Sequence, residues 1–187
     1  MQPLLVDAAP PPSLRRSLAS LLLLALALAV GFCMMQSFGI MAESAKRDIG
    51  LSDTTLAIVQ GVGNAVPLVL FSVPVGILVD RTRRIRLLIV MALTWTLGTF
   101  ATAMAPDAEM LFVSRMLVGI GATGGLTAAL SLSADLCLPE QRGRGLLITN
   151  VGKMIGTAAG FALAGWLLAR LGTADAPQWM GNLAPWR

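Results

Sequence analysis

Histidine and tyrosine are absent from this 187-residue sequence, and there are only two cysteines, Cys33 and Cys137. Zinc and haem sites depend largely on histidine and cysteine ligands, and histidine is the commonest side chain in general acid–base catalysis. Two cysteines, one in an apolar run and one in a short polar stretch, are also too few for a disulfide framework. We therefore expect no metal ion or other cofactor, and no enzymatic activity.

Charged residues are scarce as well. They make up 13% of the sequence, while hydrophobic residues make up 56%. Soluble domains carry roughly twice that share of charge, so this much apolar surface must face something other than water. The net charge of +4 does not indicate nucleic-acid binding, because the basic residues gather at the ends of apolar segments, where they orient membrane helices. The expected partner is the lipid bilayer and not a nucleic acid.

Five long apolar segments account for most of the chain. A helix needs roughly 20 mostly apolar residues to cross the hydrocarbon core. Unpaired backbone groups are too costly in hydrocarbon for an open strand to replace it. The sequence therefore predicts an all-α integral membrane protein of about five transmembrane helices. The predicted spans are residues 17–42, 54–79, 87–106, 110–134 and 145–169.

The first span follows Arg15 and Arg16, as the apolar region of a signal peptide follows its charged start. That region lasts roughly 7 to 15 residues in a signal peptide, whereas residues 17–42 continue without a charge and four more spans follow. We interpret the segment as an uncleaved first helix. Residues 1–16, with three consecutive prolines, are predicted to form a disordered cytoplasmic tail.

The orientation follows from lysine and arginine in the short loops, which stay on the cytoplasmic side. With the amino terminus inside, the inner side holds eight basic residues and the outer side four. We therefore predict a cytoplasmic amino terminus in the plasma (cell inner) membrane. The inner residues are Arg15, Arg16, Arg81, Arg83, Arg84, Arg86, Arg142 and Arg144, and the outer ones are Lys46, Arg47, Arg170 and Arg187.

The loop between spans two and three reads G-I-L-V-D-R-T-R-R-I-R from Gly76 to Arg86. It resembles the loop signature of the major facilitator superfamily, G-x-L-x-D-R-x-G-R-[RK], with Arg83 where the second glycine usually stands. A glycine allows a neighbouring helix to approach closely. The resemblance implies that Asp80, Arg81 and Arg84 form a cytoplasmic contact that opens and closes during transport. The alternative is a loop whose arginines only set orientation.

Span four resembles a second signature of the same superfamily, L-x-x-x-R-x-x-x-G-x-G-A, through Arg115, Gly119 and Gly121. An arginine inside a span costs on the order of 3 kcal/mol on insertion scales. We expect Arg115 to face a wet cavity or a partner, the alternative being that it extends to the outer interface.

Span five carries Gly152, Gly156 and Gly160 at four-residue spacing, a stripe that favours close helix packing. Lys153 beside this stripe is expected to extend toward the interface rather than contact a substrate, although both interpretations remain open.

Four uncharged polar side chains lie within the spans. Gln60 and Asn64 are one turn apart on span two, and Gln36 and Asn150 lie on spans one and five. These side chains either line a substrate pathway together with Arg115 and Lys153 or form hydrogen bonds between helices.

Further segments resemble the spinster-like branch of the superfamily. They are Asp48 to Thr54, Ser131 to Asp135 with its closing acid, Pro139 to Arg144 with Arg142, and Ala184 to Arg187. Typical members carry an acid and an arginine in the outer half of span one and a glutamate after the G-x-G of span four. This chain has Cys33 to Gln36 and Ala122 there. The proton-carrying carboxylates that the resemblance would imply are therefore absent.

The resemblance implies a secondary transporter for a small organic solute, amphiphilic or anionic, in which two six-helix halves alternate access to a central site. The chain would supply five helices of the first half-bundle, with residues 170–187 as an outer loop leading to an absent sixth span. We therefore expect an amino-terminal fragment whose partner is the missing remainder of the transporter, inactive alone. The alternative is a membrane scaffold or assembly subunit that moves no solute.

Overall fold

The computed structural model describes the backbone of residues 14–171 and the side chains of residues 16–170 except Asn64. Within these residues the chain forms five α-helices and one short 3₁₀ turn, Pro139–Gln141. The helices are α1 (Leu14–Ile49), α2 (Asp53–Arg81), α3 (Arg84–Ala103), α4 (Ala108–Asp135) and α5 (Arg142–Leu171). All five are long and apolar enough to span a membrane. The all-α class with five transmembrane helices is thus confirmed.

The first helix is longer than its predicted span of residues 17–42. It begins at Leu14, so residues 14–16 of the predicted tail are helical, and residues 1–13 lie outside the described residues. The buried Ser17 hydroxyl donates to the carbonyl of Leu136, which holds this end of α1 against the end of α4. At the other end α1 continues to Ile49, where Gly50 adopts a positive φ of 74° and stops it.

The loops that precede α2 and α4 are short because side chains cap these helices at once. Ser52 accepts a hydrogen bond from the Thr55 amide at 3.1 Å and starts α2. Asp107 accepts one from the Met110 amide at 2.8 Å and starts α4. Each cap satisfies a backbone N–H that the helix itself leaves without a partner. The predicted third and fourth spans therefore shift slightly, to Arg84–Ala103 and Ala108–Asp135.

The pattern of contacts between the helices occurs twice in the bundle. α1 packs chiefly on α5, and α4 packs chiefly on α2 and α3, whereas α2 and α3 barely touch each other. One group is α1, α2 and α3, and α4 and α5 begin the next. The first helix of each group thus packs on the second helix of the other group, which is the arrangement expected of an inverted repeat. α4 lies at the centre of the bundle and is the most buried of the five helices.

The glycine stripe of α5 packs directly against the backbone of α1. A Cβ atom on Gly152, Gly156 or Gly160 would lie 2.1 to 2.5 Å from the carbonyl oxygens of Ala25, Ala29 and Cys33. Both sets recur every four residues, so the two helix backbones run in contact over about two turns. The close helix packing predicted for this glycine stripe is therefore present, between α5 and α1.

Candidate functional site

Arg115 lies inside the bundle and not at its outer edge. Its side chain is 4% exposed, and its guanidinium carbon lies 4.6 Å from the ring centroid of Phe38 on α1. Its Nη2 donates to the carbonyl of Met35 at 3.4 Å, which is a long hydrogen bond. The Nε atom is buried and has no hydrogen-bond partner among the described residues. A full positive charge is therefore held inside the protein with incomplete compensation.

Arg115 opens onto a cavity of about 200 Å³ between α1, α3 and α4. Apolar side chains form one part of the wall, and the hydroxyl-bearing side chains of α1 and α3 form another. A cavity of this size and lining can hold a molecule with an apolar body and an anionic group. The other lining residues are Met34, Ser37, Phe38, Met41, Thr99, Thr102 and Ala103.

Glycines on α2 and α4 allow the close approach that places Arg115 in this position. A Cβ on Gly63 would lie 3.3 Å from the Cβ of Arg115, and one on Gly119 would lie 3.2 Å from Pro67. Gly121, two residues further on, faces α3, where a Cβ would meet the Trp95 amide at 2.6 Å. The two glycines of the predicted signature therefore bring α4 against two different neighbours.

A larger cleft of about 500 Å³ lies between α1, α2 and α4. Its lining is almost entirely apolar and includes Phe32, Leu68, Gly119, Ala122 and Leu126. None of the predicted pathway residues whose side chains the structure describes is among those that line it. Because position 122 is alanine, the cleft also has no carboxylate there.

The remaining predicted pathway residues are dispersed. Lys153 is half-buried, with its Nζ 5.6 Å from the ring centroid of Phe32, and the amide of Asn150 donates to the Leu146 carbonyl of its own helix at 3.0 Å. Gln36 and Gln60 are half-buried on α1 and α2, and the side chain of Asn64 lies outside the described residues. Of the five whose side chains the structure describes, Arg115 alone is among the residues that line the 200 Å³ cavity.

A cluster of charges lies where α2 and α4 end and α3 begins, the end predicted to be cytoplasmic. Arg84, the first residue of α3, forms an ion pair with Asp135, the last residue of α4. Asp80 and Arg84 both line a hollow of about 630 Å³ with Asp135, but Asp80 is exposed and has no ion pair with any residue that the structure describes. Arg81 and Arg142 are exposed on the same side.

None of the helices that the structure describes makes the close approach predicted for Gly76. A Cβ on this residue would meet no atom within 4 Å. The physical reason is that α2 packs on α4 through the face of Val75 and Val79, which lies roughly 80° round the helix from Gly76. Gly76 therefore lies on a face of α2 that the five helices leave open.

Sequence reasoning missed the residues that surround Arg115. Phe38 and Met35 lie in a mostly apolar stretch of α1. Nothing in the local sequence distinguishes the two residues that face α4. Thr102 on α3 donates to the Ser114 hydroxyl at 3.0 Å, beside Arg115, and both are buried. Hydroxyl residues inside a span are the signal that would have found this pair.

Comparisons with solved structures identify the fold. The chain superposes on crystal structures of a bacterial homologue of the human lysosomal transporter Spinster in inward-facing, unoccupied and occupied, conformations. The TM-score is 0.78 for both, with 21% and 22% sequence identity over 90% and 94% of this chain, and 38% and 39% of the solved chains. The resemblance to the spinster-like branch therefore has a counterpart in the fold.

Curated proteins of similar sequence are named as transporters. An uncharacterised transporter of Bacillus subtilis, YhcA, is 29% identical over 72% of this chain and 23% of its own length. The 3-(3-hydroxy-phenyl)propionate transporter of Escherichia coli is 31% identical over 59% of this chain and 27% of its own length. The chain thus spans about a quarter of the length of these relatives. The sequence model of the Major Facilitator Superfamily matches residues 20–187, and the chain therefore belongs to that superfamily.

Proposed function

We propose that residues 1–187 form five helices of the amino-terminal half of a secondary transporter that carries a small organic acid across the plasma membrane. The amino terminus lies in the cytoplasm, and the two halves of the whole protein rock about a central site. The observation that carries this proposal is the buried, incompletely compensated charge of Arg115 beside a cavity.

Electrostatics favour an anion as the solute. An isolated charge buried in an apolar medium is costly, and an anion within a few ångströms offsets that cost. The described part of the chain has no aspartate or glutamate paired with Arg115. A carboxylate that accepts from Nε would satisfy this buried donor, and Phe38, Met34 and Met41 would contact the apolar part of the same molecule.

The names of the relatives point to the same class of solute. One relative is named for 3-(3-hydroxy-phenyl)propionate, an aromatic acid with a three-carbon carboxylate arm. Others are named for 4-methylmuconolactone and for niacin or nicotinamide. We therefore propose a small aromatic or amphiphilic organic acid.

The charge cluster at the cytoplasmic ends of the helices would provide the gate. Arg84 is engaged by Asp135, which fixes the start of α3 to the end of α4. Asp80 and Gly76 stay open on α2. We propose that these two residues contact the other half of the transporter in one of its conformations and separate in the other.

Residues 1–187 alone would not complete a transport cycle. α3 covers one face of α4, and the repeat places an equivalent helix against α1, where Leu22, Leu26 and Val30 are exposed. A site shared by two halves also needs the second half to alternate its access. Transport therefore requires helices in addition to the five described.

The test is flux of radiolabelled 3-(3-hydroxy-phenyl)propionate in proteoliposomes. One sample contains residues 1–187, and the other an extended protein that joins these residues to the further helices found in the relatives. We expect saturable flux from the extended protein and none above empty liposomes from residues 1–187. Flux through residues 1–187 alone would contradict the need for further helices. If the extended protein moves neither this acid nor any member of a panel of organic acids, the scaffold role is favoured instead.

A further inference from the structure

A groove lies between the cytoplasmic ends of α2 and α3, next to the hollow that contains Asp80 and Asp135. Its volume is about 450 Å³. Three arginines, three aliphatic side chains and one threonine line it. They are Arg81, Arg83 and Arg86, then Leu78, Leu87 and Val90, and Thr82. We call it the α2–α3 groove.

The groove differs in charge from the neighbouring hollow. That hollow contains Asp80 and Asp135, and its Arg84 is already paired. The α2–α3 groove has no carboxylate among its lining residues. Arg81, Arg83 and Arg86 are exposed and form no ion pair with the described residues. Arg83 and Arg86 also line the neighbouring hollow, but neither forms an ion pair with its acids. Three positive charges therefore converge on the groove without a paired counter-ion.

The amino-terminal end of α3 adds to the positive potential of the groove. Arg83 occupies the position before the helix, and its side chain makes no capping hydrogen bond. The first backbone N–H groups of α3 are therefore not capped by a side chain, as a serine or aspartate would cap them. An N-terminus of this kind attracts negatively charged groups.

The rest of the groove is apolar and faces the bilayer. Leu78 is 40% exposed and Val90 52% exposed, at the ends of two spans that barely contact each other. The part of the groove nearer the middle of the spans is thus open to lipid acyl chains, while the arginines lie at the level of the lipid headgroups. A water-soluble anion would use only the charged part.

We propose that the α2–α3 groove binds one anionic glycerophospholipid of the cytoplasmic leaflet. The phosphate lies among Arg81, Arg83 and Arg86, and an acyl chain lies against Leu78 and Val90. Arginines near a membrane surface each favour anionic lipid by about fivefold. The binding does not depend on the transport proposed above, because it needs only residues of α2 and α3.

Native mass spectrometry of purified residues 1–187 tests this proposal. The protein is delipidated and offered phosphatidylglycerol and phosphatidylcholine in equal amounts. We expect the unaltered protein to prefer phosphatidylglycerol at least tenfold. Arg83→Gln should reduce this preference about fivefold. The matched control is Arg142→Gln with Arg144→Gln, which removes two exposed arginines from the same side but outside the groove. The control should keep the preference.

Three results would overturn the proposal. The first is equal retention of the two lipids by the unaltered protein. The second is an equal loss in the control variant, which would mean that the surface charge acts diffusely. The third is displacement of the lipid by glycerol-1-phosphate at an equal concentration, since a free phosphate ester would then use the site without an acyl chain. A triple variant, Arg81→Gln with Arg83→Gln and Arg86→Gln, that keeps its circular dichroism spectrum should lose the preference entirely.

Discussion

Arg84 and Asp135 form an ion pair that joins the first residue of α3 to the last residue of α4. The two residues are distant in sequence, and their side chains are about one third and nearly one half exposed. Arg84 forms no ion pair with Asp80, the acid of its own loop, although both line the same hollow. The loop signature alone would place Arg84 and Asp80 in one contact. In the structure Arg84 contacts α4, while Asp80 remains exposed.

The first prediction concerns the strength of this pair. In a double-mutant cycle, Arg84→Gln and Asp135→Asn should show a coupling of about 0.2–1 kcal/mol in thermal unfolding, because water screens a partly exposed pair. The cycle of Arg84→Gln with Asp80→Asn is the control and should show no coupling. Coupling confined to Asp80 would mean that Arg84 pairs within its own loop.

The second prediction concerns the contact between α1 and α5. Gly156→Ala should destabilise the five-helix bundle by about 1–3 kcal/mol, because a methyl group 2.1 Å from the Ala29 carbonyl forces two backbones apart. The matched control on the same helix is Gly165→Ala, where a Cβ meets nothing within 4 Å. This control should be neutral or stabilise the helix by up to about 1 kcal/mol. Unfolding in detergent, followed by circular dichroism, measures both changes. Equal effects of the two substitutions would contradict the packing of α1 on α5.

Hydropathy predicts the five spans because the bilayer imposes a length and a composition on each helix. It does not predict where the helices end, because the helical hydrogen bonds of α1 continue past Ala42 into polar residues that remain favourable in a helix. The spacing of Gly152, Gly156 and Gly160 likewise predicts a packing face. It does not tell which helix lies on that face.

The long-range features had no local signal. Asp135 was expected to be part of a family segment, but its pairing with Arg84 depends on how α3 and α4 pack. The position of Arg115 was expected from the cost of its charge. Its contact with Phe38 was not, since it follows from the rotation of α1 about its own axis. The open surface at Gly76 has the same origin, because a glycine inside a span does not reveal whether its neighbour belongs to the same five helices.

The third prediction concerns orientation. Cys137 is buried, so its own labelling would be slow on either side of the membrane. A variant with Cys33→Ala and Cys137→Ala therefore receives one new cysteine at an exposed glutamate, either Glu140→Cys or Glu109→Cys. In right-side-out vesicles a membrane-impermeant maleimide should label Glu109→Cys at once and Glu140→Cys only after permeabilisation. The reverse pattern would place the amino terminus outside.

The fourth prediction concerns Asp80 in the extended protein. Asp80→Asn should leave expression and orientation unchanged, because the positive-inside rule depends on lysine and arginine and barely on acids. It should slow flux about tenfold if the gate loses about 1.4 kcal/mol in one conformation. Asp107→Asn on the outer side is the control, since asparagine caps a helix about as well as aspartate. An unchanged rate for Asp80→Asn would leave the loop with a role in orientation alone.

Flux of a radiolabelled organic acid through Arg115 variants of the extended protein is the most direct test of the central claim, that Arg115 holds the anionic group of the solute. Arg115→Ala should lower kcat/KM at least thirtyfold, about 2 kcal/mol. Arg115→Lys should recover only part of the loss, because an ammonium group lacks the planar fork of donors. Lys153→Met removes the half-buried cation beside Phe32 and should have little effect. Full activity of Arg115→Ala, with a correctly folded and oriented protein, would contradict the account.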